Sequence, residues 1–351
     1  AAAVDFAEVL YRQGPLLSAI EGKAQLLKRT DLPSDLREAV AVRQRRWQRD
    51  TTQSSLSVGT SVGYDNNLNS APIAERLALT LSGNPVLLDV SSDFRAAGDG
   101  YARLTGTGTI VSVGQSVNSR LTASVTGRFS RNSAYDLIQG SARYRLSEAS
   151  DTPRWNAALG FDHLVWGGDT VFRSATIRAD FLWKDFGTCR VYPRLAMQYQ
   201  KYEAQELLSG YEYFLGPGSD CTLVIGGALN RIGLEFGVLR NQAQYGERLG
   251  GNRKGWQSNL YWQRALAAGQ LVGQYQYTKF NDENGYSLLF KNGVRRRENL
   301  HSLYLSYIRP LNLYGGKDQF VGTAAYHNQD SSISLFKTRG ASLEVGVVWG
   351  F

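Results

Sequence analysis

The chain has 351 residues, a net charge of +8 from 39 Lys and Arg against 31 Asp and Glu, and 42% apolar residues. It contains no run of 18 or more apolar residues, which excludes a transmembrane helix. Its arginines are spread along the chain, whereas a nucleic-acid binder concentrates them in one patch with interleaved aromatics, so no nucleic-acid partner is expected.

Residues 1–50 have the periodicity of α-helices. Apolar side chains recur every three or four positions in three stretches, and Pro33 fits the first turn of the third. Arginines cover the polar side of that third helix. Three such helices are typical of the end of a helical repeat domain, and a helical plug on a barrel is the alternative. We predict a short N-terminal helical segment at 1–50.

From residue 54 onward the apolar period changes to two, which is the period of a strand. In the first such segment the apolar residues alternate with Ser and Gly; they are Leu56, Val58, Val62 and Tyr64. A long polar stretch at 65–99 follows. We predict a strand followed by an extended loop.

About fourteen strands can be counted to the end of the chain, each with one apolar face and one face of Gln, Ser, Thr and Arg. Short connections alternate with longer polar ones, such as 240–253 and 283–296. An even strand number with short turns at one rim and long loops at the other is typical of outer-membrane barrels. The prediction is an all-β, antiparallel transmembrane β-barrel over 54–351, with a lumen wider than side chains alone can fill.

Several arginines fall on the face of the strands that would line the lumen. They are Arg128, Arg143, Arg145, Arg178 and Arg194. They could steer acidic cargo through the barrel, or they could pair with the inward carboxylates of Asp162, Asp180 and Glu344.

The residues that commonly perform catalysis are scattered. His163, His301 and His327 are far apart in sequence, and Asp162 and His163 are strand neighbours whose side chains point to opposite faces. No Cys, His and Asp cluster has metal-ligand spacing. We therefore predict a protein that is not an enzyme, with no cofactor and no metal.

Two cysteines, Cys189 and Cys221, are too few for a disulfide scaffold. The segment 217–220, Pro-Gly-Ser-Asp, predicts a turn and hence an additional strand between them. Cysteines on strands separated by one neighbour would lie about 9–10 Å apart, beyond disulfide reach without a bend. Whether they are bonded is left open.

The last eleven residues, 341–351, alternate strictly and end on an aromatic residue. In this they resemble bacterial outer-membrane proteins, whose assembly machinery recognises such a final strand. The resemblance implies that Trp349 and Phe351 form the barrel-assembly signal and that this machinery and membrane lipids are partners.

The exit of the first strand carries the sequence Gly-Tyr-Asp-Asn-Asn-Leu-Asn-Ser-Ala-Pro at 63–72, after a proline-led basic helix. This combination resembles the surface lipoprotein assembly modifiers, outer-membrane proteins with periplasmic tetratricopeptide-like helices and a fourteen-stranded barrel. The matching positions are Tyr64, Asp65, Asn67 and Asn69. The resemblance implies a translocator that helps a client lipoprotein, or a related secreted protein, cross the outer membrane to the cell surface.

These four residues also have a simpler interpretation, because Asn and Asp satisfy backbone groups locally where a strand leaves a sheet. Two other functions remain as alternatives. An exopolysaccharide export pore would use inward amides such as Gln257 and Gln274, and sixteen strands would favour it. A diffusion porin would have no use for the helical segment.

Overall fold

The computed structural model describes residues 52–81, 84–114, 116–150, 152–311 and 318–351. The predicted helical segment at 1–50 lies outside these ranges. Within them the regular structure is strand, apart from four 3-10 turns of three residues each. No helix in this part of the chain has the length and apolar character needed to cross a membrane.

The described residues form seventeen strands. In chain order these are β1 Thr52–Asp65, β2 Arg76–Leu81, β3 Asn84–Asp89, β4 Asp99–Val113, β5 Val117–Ser130, β6 Leu137–Glu148, β7 Trp155–Trp166, β8 Asp169–Phe181, β9 Lys184–Asp185, β10 Cys189–Tyr202, β11 Gly210–Ile225, β12 Ala228–Ala243, β13 Arg253–Leu266, β14 Gly269–Asp282, β15 Arg297–Leu311, β16 Asp318–Ser331 and β17 Thr338–Gly350. The 3-10 turns are η1 Ser92–Phe94, η2 Ser133–Tyr135, η3 Glu206–Leu208 and η4 Ser334–Phe336.

Fourteen long strands form one closed antiparallel ring, with the two-residue β9 attached to β10 and a separate hairpin made by β2 and β3. Closure occurs between β1 and β17, whose paired residues run from Ser57 with Gly350 to Asp65 with Ser342. Two backbone hydrogen bonds between Leu56 and Phe351, of 3.3 and 2.8 Å, extend the seam. The ring satisfies backbone donors and acceptors strand to strand, as spanning a bilayer requires. The predicted antiparallel barrel of about fourteen strands is confirmed.

Alternation along each strand separates an apolar outer face from a polar inner one. Outer residues such as Val62, Leu104, Val125 and Ile177 are 54–61% exposed, because they project away from the ring with no protein to cover them. Their inward neighbours are hydroxyls, amides and charged groups. An aliphatic outer band of this kind suits contact with lipid chains.

The two ends of the barrel differ. At one end, here called the long-loop rim, the connections are 66–98, 131–136, 203–209, 244–252, 283–296 and 332–337, together with a two-residue turn at 167–168. At the other end, the short-turn rim, strand β1 begins and β17 ends. Two of its turns contain only two residues, 226–227 and 267–268.

The predicted turn at 217–220 is wrong, because β11 runs straight through these residues. Pro217 is paired with Pro193 of β10, and its pairing with β12 is interrupted between Leu215 and Gly218 without a change of register. A proline lacks the N–H needed for that ladder, so the strand tolerates it with a local gap. The actual turn is Gly226-Gly227, where both residues have positive φ, as a two-residue hairpin of this type requires.

The same correction brings the cysteines together. Cys189 and Cys221 lie on adjacent strands, β10 and β11, and are register partners rather than residues two strands apart. They form a disulfide near the short-turn rim.

Replacing both cysteines by serine should lower the thermal stability of the detergent-solubilised barrel. The bond joins residues 32 positions apart, and the chain-entropy model gives about 3–4 kcal/mol as its upper contribution. The measurement is the unfolding temperature of both proteins with and without dithiothreitol. Reductant should shift the parent protein and leave the double variant unchanged; equal melting of all four samples would contradict the expectation.

Candidate functional site: the lumen and the long-loop rim

The lumen wall divides into a basic side and an amide side. Arginines project inward from β4, β5, β6, β8 and β10 at the positions that face away from the aliphatic band; they are Arg103, Arg120, Arg128, Arg143, Arg145, Arg178 and Arg194. Across β13 and β14 the inward positions are occupied by Gln257, Asn259, Gln263, Gln274 and Gln276. Five of these seven arginines, Arg128, Arg143, Arg145, Arg178 and Arg194, are those considered for the lumen from the sequence.

An ionic centre joins three strands on the basic side. Arg194 donates to Asp180 through Nε at 2.6 Å and also contacts Glu235 of β12. Arg178 reaches the same Asp180 carboxylate at 3.4 Å. Arg194 and Asp180 are both buried. The sequence-based pairing of Asp180 with lumen arginines therefore occurs for Arg178 and Arg194.

Glu344 pairs with Arg103, which is not among the arginines predicted to line the lumen. Its carboxylate lies 2.8 Å from Arg103 and accepts hydrogen bonds from Ser61 at 2.7 Å and Tyr101 at 2.9 Å. The alternation along β4 would have indicated this residue, because Arg103 is the inward neighbour of the outward Leu104. The group connects β1, β4 and β17 across the closing seam.

Arg128 holds the loop that follows β1. Its guanidinium donates to the carbonyl oxygen of Leu68 at 3.0 Å, lies 3.8 Å from Asp65, and stacks near the rings of Tyr101 and Trp166. The Leu68 side chain is completely buried. Arg128 thus anchors the start of this loop, and it forms no ion pair with Asp162, Asp180 or Glu344, the three partners suggested by the sequence.

Arg143 and Arg145 behave differently from the other arginines. Neither forms an ion pair with any carboxylate in the described ranges, and Asp162, one of the carboxylates considered as a partner in the sequence, accepts a hydrogen bond from Ser174 at 3.1 Å instead. Both are exposed to the lumen. These two guanidiniums are available to a ligand.

Three of the four motif side chains point into the loop that they belong to. Asn67 is 1% exposed; its Nδ2 donates to the carbonyl oxygens of Ala71 at 3.0 Å and Arg339 at 2.9 Å, and its Oδ1 accepts from the Ala71 N–H. Asn69 Nδ2 donates to the Arg95 carbonyl oxygen at 2.7 Å, and Asn69 Oδ1 accepts from the Ala97 N–H at 3.0 Å.

The remaining two motif positions differ in orientation. The Asp65 carboxylate accepts from the Asn67 N–H at 2.9 Å, whereas Tyr64 faces outward and is 56% exposed. The motif therefore fastens the exit of β1 to the segment just before β4 and to β17, and only the Tyr64 side chain of these four is presented outside the barrel.

A second ionic cluster lies at the long-loop rim. Arg296 binds Asp282 through two contacts of 3.2 and 3.4 Å and approaches Glu298 at 3.6 Å, while Arg253 reaches Glu298 at 3.4 Å. The guanidinium of Arg296 is covered by the rings of Tyr286 and Phe336. The cluster fixes loop 283–296 against the turn before β17.

Arg248, in loop 244–252, adds a further buried cation near this cluster. It donates to the Asn241 side chain. Burial, reinforced by repulsion from Arg253 and Arg296, lowers the pKa of Arg248 to about 10. The guanidinium is still charged at neutral pH, so the loop carries a fixed positive charge.

The loop 66–98, predicted as a long polar stretch, contains an apolar hairpin. Strands β2 and β3 pair along their whole length, and the Thr80 N–H donates to the Leu289 carbonyl at 2.7 Å, which ties the hairpin to a neighbouring loop. Five large apolar side chains on it and beside it are exposed. They are Leu81, Val86, Leu87, Leu88 and Phe94, and we call them the apolar rim surface.

The apolar rim surface borders a cavity of about 510 Å³. Pro72, Leu77, Leu88, Phe94 and Leu335 are among the residues that line it. The alternation of Leu77, Leu79 and Leu81 was the sequence signal for the hairpin, and it was hidden inside a segment of polar average composition.

The C-terminal aromatic residues lie on the outer face of the closing seam. Trp349 is paired with Val58 of β1, and Phe351 is 66% exposed at the short-turn rim. No cluster of three His, Cys, Asp or Glu side chains placed to hold a metal occurs in the described part of the chain.

No protein-family model and no curated protein matches the chain. Solved structures with detectable similarity include OccAB2 of Acinetobacter baumannii, with 12% identity and a TM-score of 0.41 over 85% of this chain and 98% of that one. The anion-selective porin of Comamonas acidovorans has 12% identity and a TM-score of 0.38 over 86% and 99% of the two chains. OprD of Pseudomonas aeruginosa has 10% identity and a TM-score of 0.39 over 85% and 94%.

Proposed function

We propose that this chain is a bacterial outer-membrane transport barrel that delivers a client lipoprotein, or a related secreted protein, to the cell surface. The observation that carries the proposal is the apolar rim surface, held at the long-loop rim by the motif that resembles the surface lipoprotein assembly modifiers. Exposed apolar clusters rimmed by polar groups commonly mark sites of protein interaction.

The apolar rim surface suits a protein or acylated client better than a small polar solute. Such solutes are guided by charges and amides along the pore and gain nothing from five exposed apolar side chains at its mouth. In this proposal the short-turn rim is periplasmic, the segment 1–50 meets the client there, and the long-loop rim receives it outside. The barrel-assembly machinery would recognise Trp349 and Phe351.

An anion-conducting diffusion channel is the second candidate, and the unpaired Arg143 and Arg145 favour it. Steady single-channel conductance with anion selectivity in planar bilayers would support this candidate. An exopolysaccharide export pore has weaker support, because the ring has fourteen long strands rather than the sixteen that would favour that class.

Surface delivery is tested by protease shaving of intact cells with and without the gene. We expect one or two lipoproteins to be synthesised at normal levels but to lose surface exposure when the gene is absent. The double variant L87S/L88S should reproduce this loss, while L207S/L249S, which changes exposed leucines of two other loops at the same rim, should not. Unchanged surface levels of every lipoprotein in the deletion strain would refute the proposal.

A further inference from the structure

Four arginines converge on one patch of the lumen wall that the ionic pairs described above leave largely open. Arg120 of β5 and Arg145 of β6 are direct register partners, so two cations face each other across the strands. Arg145 is in turn level with Ala158 of β7, and Ala158 with Arg178 of β8. Arg143 lies two residues along β6, level with Gly160.

The pairing of Arg120 with Arg145 is unfavourable for a β-sheet. Like charges directly opposite each other on one face are destabilising. The local carboxylates compensate only in part, because Asp180 is shared between Arg178 and the buried Arg194, and Asp162 is engaged by Ser174. Around the cavity between these strands, four of the lining residues are arginines and one, Asp162, is acidic.

The space in front of the arginines suits a small ligand. The cavity has a volume of about 450 Å³. Ala158 and Gly160, between the arginine-bearing strands, have little or no side chain to fill it, and the hydroxyls of Thr122, Ser141 and Thr176 also line it. Guanidinium forks bind phosphate and carboxylate oxygens in pairs, and hydroxyls add further donors.

We propose that Arg120, Arg143, Arg145 and Arg178 form a binding site for a soluble, multiply charged phosphate compound. The site faces the lumen on the inner side of the ring, so a bulk lipid headgroup on the outer face does not reach it. It lies toward the short-turn rim, since Arg120 is near the start of β5 and Arg145 near the end of β6. This proposal goes beyond the proposed function. It applies whether the barrel transports a protein or a small solute.

The test measures binding of tripolyphosphate to the full chain in detergent by isothermal titration calorimetry at low and moderate salt. The parent protein should bind it, and R120Q/R143Q/R145Q should weaken binding at least about tenfold, since the variant removes three charged hydrogen-bond donors from the site. The control R76Q/R154Q/R240Q removes three charges that lie outside the cavity and should bind like the parent protein.

Folding is checked by the melting temperature of each protein. The triple glutamine variant should melt at or above the parent temperature, because like-charge repulsion has been removed. The single variant R143Q gives a second test, with an intermediate loss of affinity. An absence of tripolyphosphate binding by the parent, or equal binding by the parent and the triple variant, would overturn the site.

Discussion

Replacement of Arg296 by methionine should destabilise the barrel by about 3–5 kcal/mol, the usual loss when one partner of a buried ion pair is removed. Asp282, Glu298 and Arg296 have side chains that are 1%, 5% and 7% exposed. Without the guanidinium, the Asp282 carboxylate has no cation within ion-pair distance among the described residues, whereas Glu298 keeps Arg253. Tyr286 and Phe336 also lose the cation on which they pack.

The measurement is the free energy of unfolding in detergent, followed by tryptophan fluorescence, together with the rate of proteolysis in loop 283–296. D282L/R296M should recover most of the lost stability, since apolar replacement of both partners removes the uncompensated charge. R76M is the matched control, because Arg76 and Asp89 pair at a fully solvated site and such pairs contribute about 1 kcal/mol or less. Equal effects of R296M and R76M would disprove the structural role of the cluster.

The barrel itself could be predicted from the sequence because its defining property is local. Alternation depends only on the period of two, and it assigned the outward residues Val62, Leu104 and Val125 correctly. The strand number followed from counting such segments. Inward positions followed from the same rule, which placed Arg128, Arg143, Arg145, Arg178 and Arg194 on the lumen face.

The predictions that were wrong or incomplete concern contacts between different strands. Pro217 predicted a turn because proline usually interrupts a strand. In the fold β11 keeps its pairing with β10 at Pro193, and only the ladder to β12 has a gap, without a reversal of the chain. That single error placed a strand between the cysteines and hid the disulfide. Ionic partners were missed for the same reason. Arg103 meets Glu344 only when the ring is closed, and Arg128 meets Asp65 across the intervening strand β4.

The motif at 63–72 allowed its local hydrogen bonds to be predicted from the sequence, but not its long-range one. Asn and Asp after β1 suggested local satisfaction of backbone groups, and Asn67 does accept and donate within its own loop. Its bond to Arg339 crosses to β17 over a separation of 272 residues. No local pattern contains that contact, which couples the loop bearing the apolar rim surface to the closing seam.

The substitution N67D should release loop 66–98 while leaving the ring folded. The aspartate keeps the shape of the side chain but replaces the Nδ2 donor with an oxygen, which then faces the carbonyl oxygens of Ala71 and Arg339 at the present 3.0 and 2.9 Å. Two buried acceptors lose their donor, at about 1–3 kcal/mol each, and a buried charge is added. Trypsin should therefore cut after Arg76 and Arg95 much faster than in the parent protein, with a nearly unchanged melting temperature.

N84D adds the same charge to the exposed hairpin of the same loop and should retain the parent cleavage rate. If N67D and N84D are cleaved equally slowly, Asn67 does not hold the loop; if N67D is cleaved faster and also loses surface delivery of the client, the motif acts by positioning the apolar rim surface.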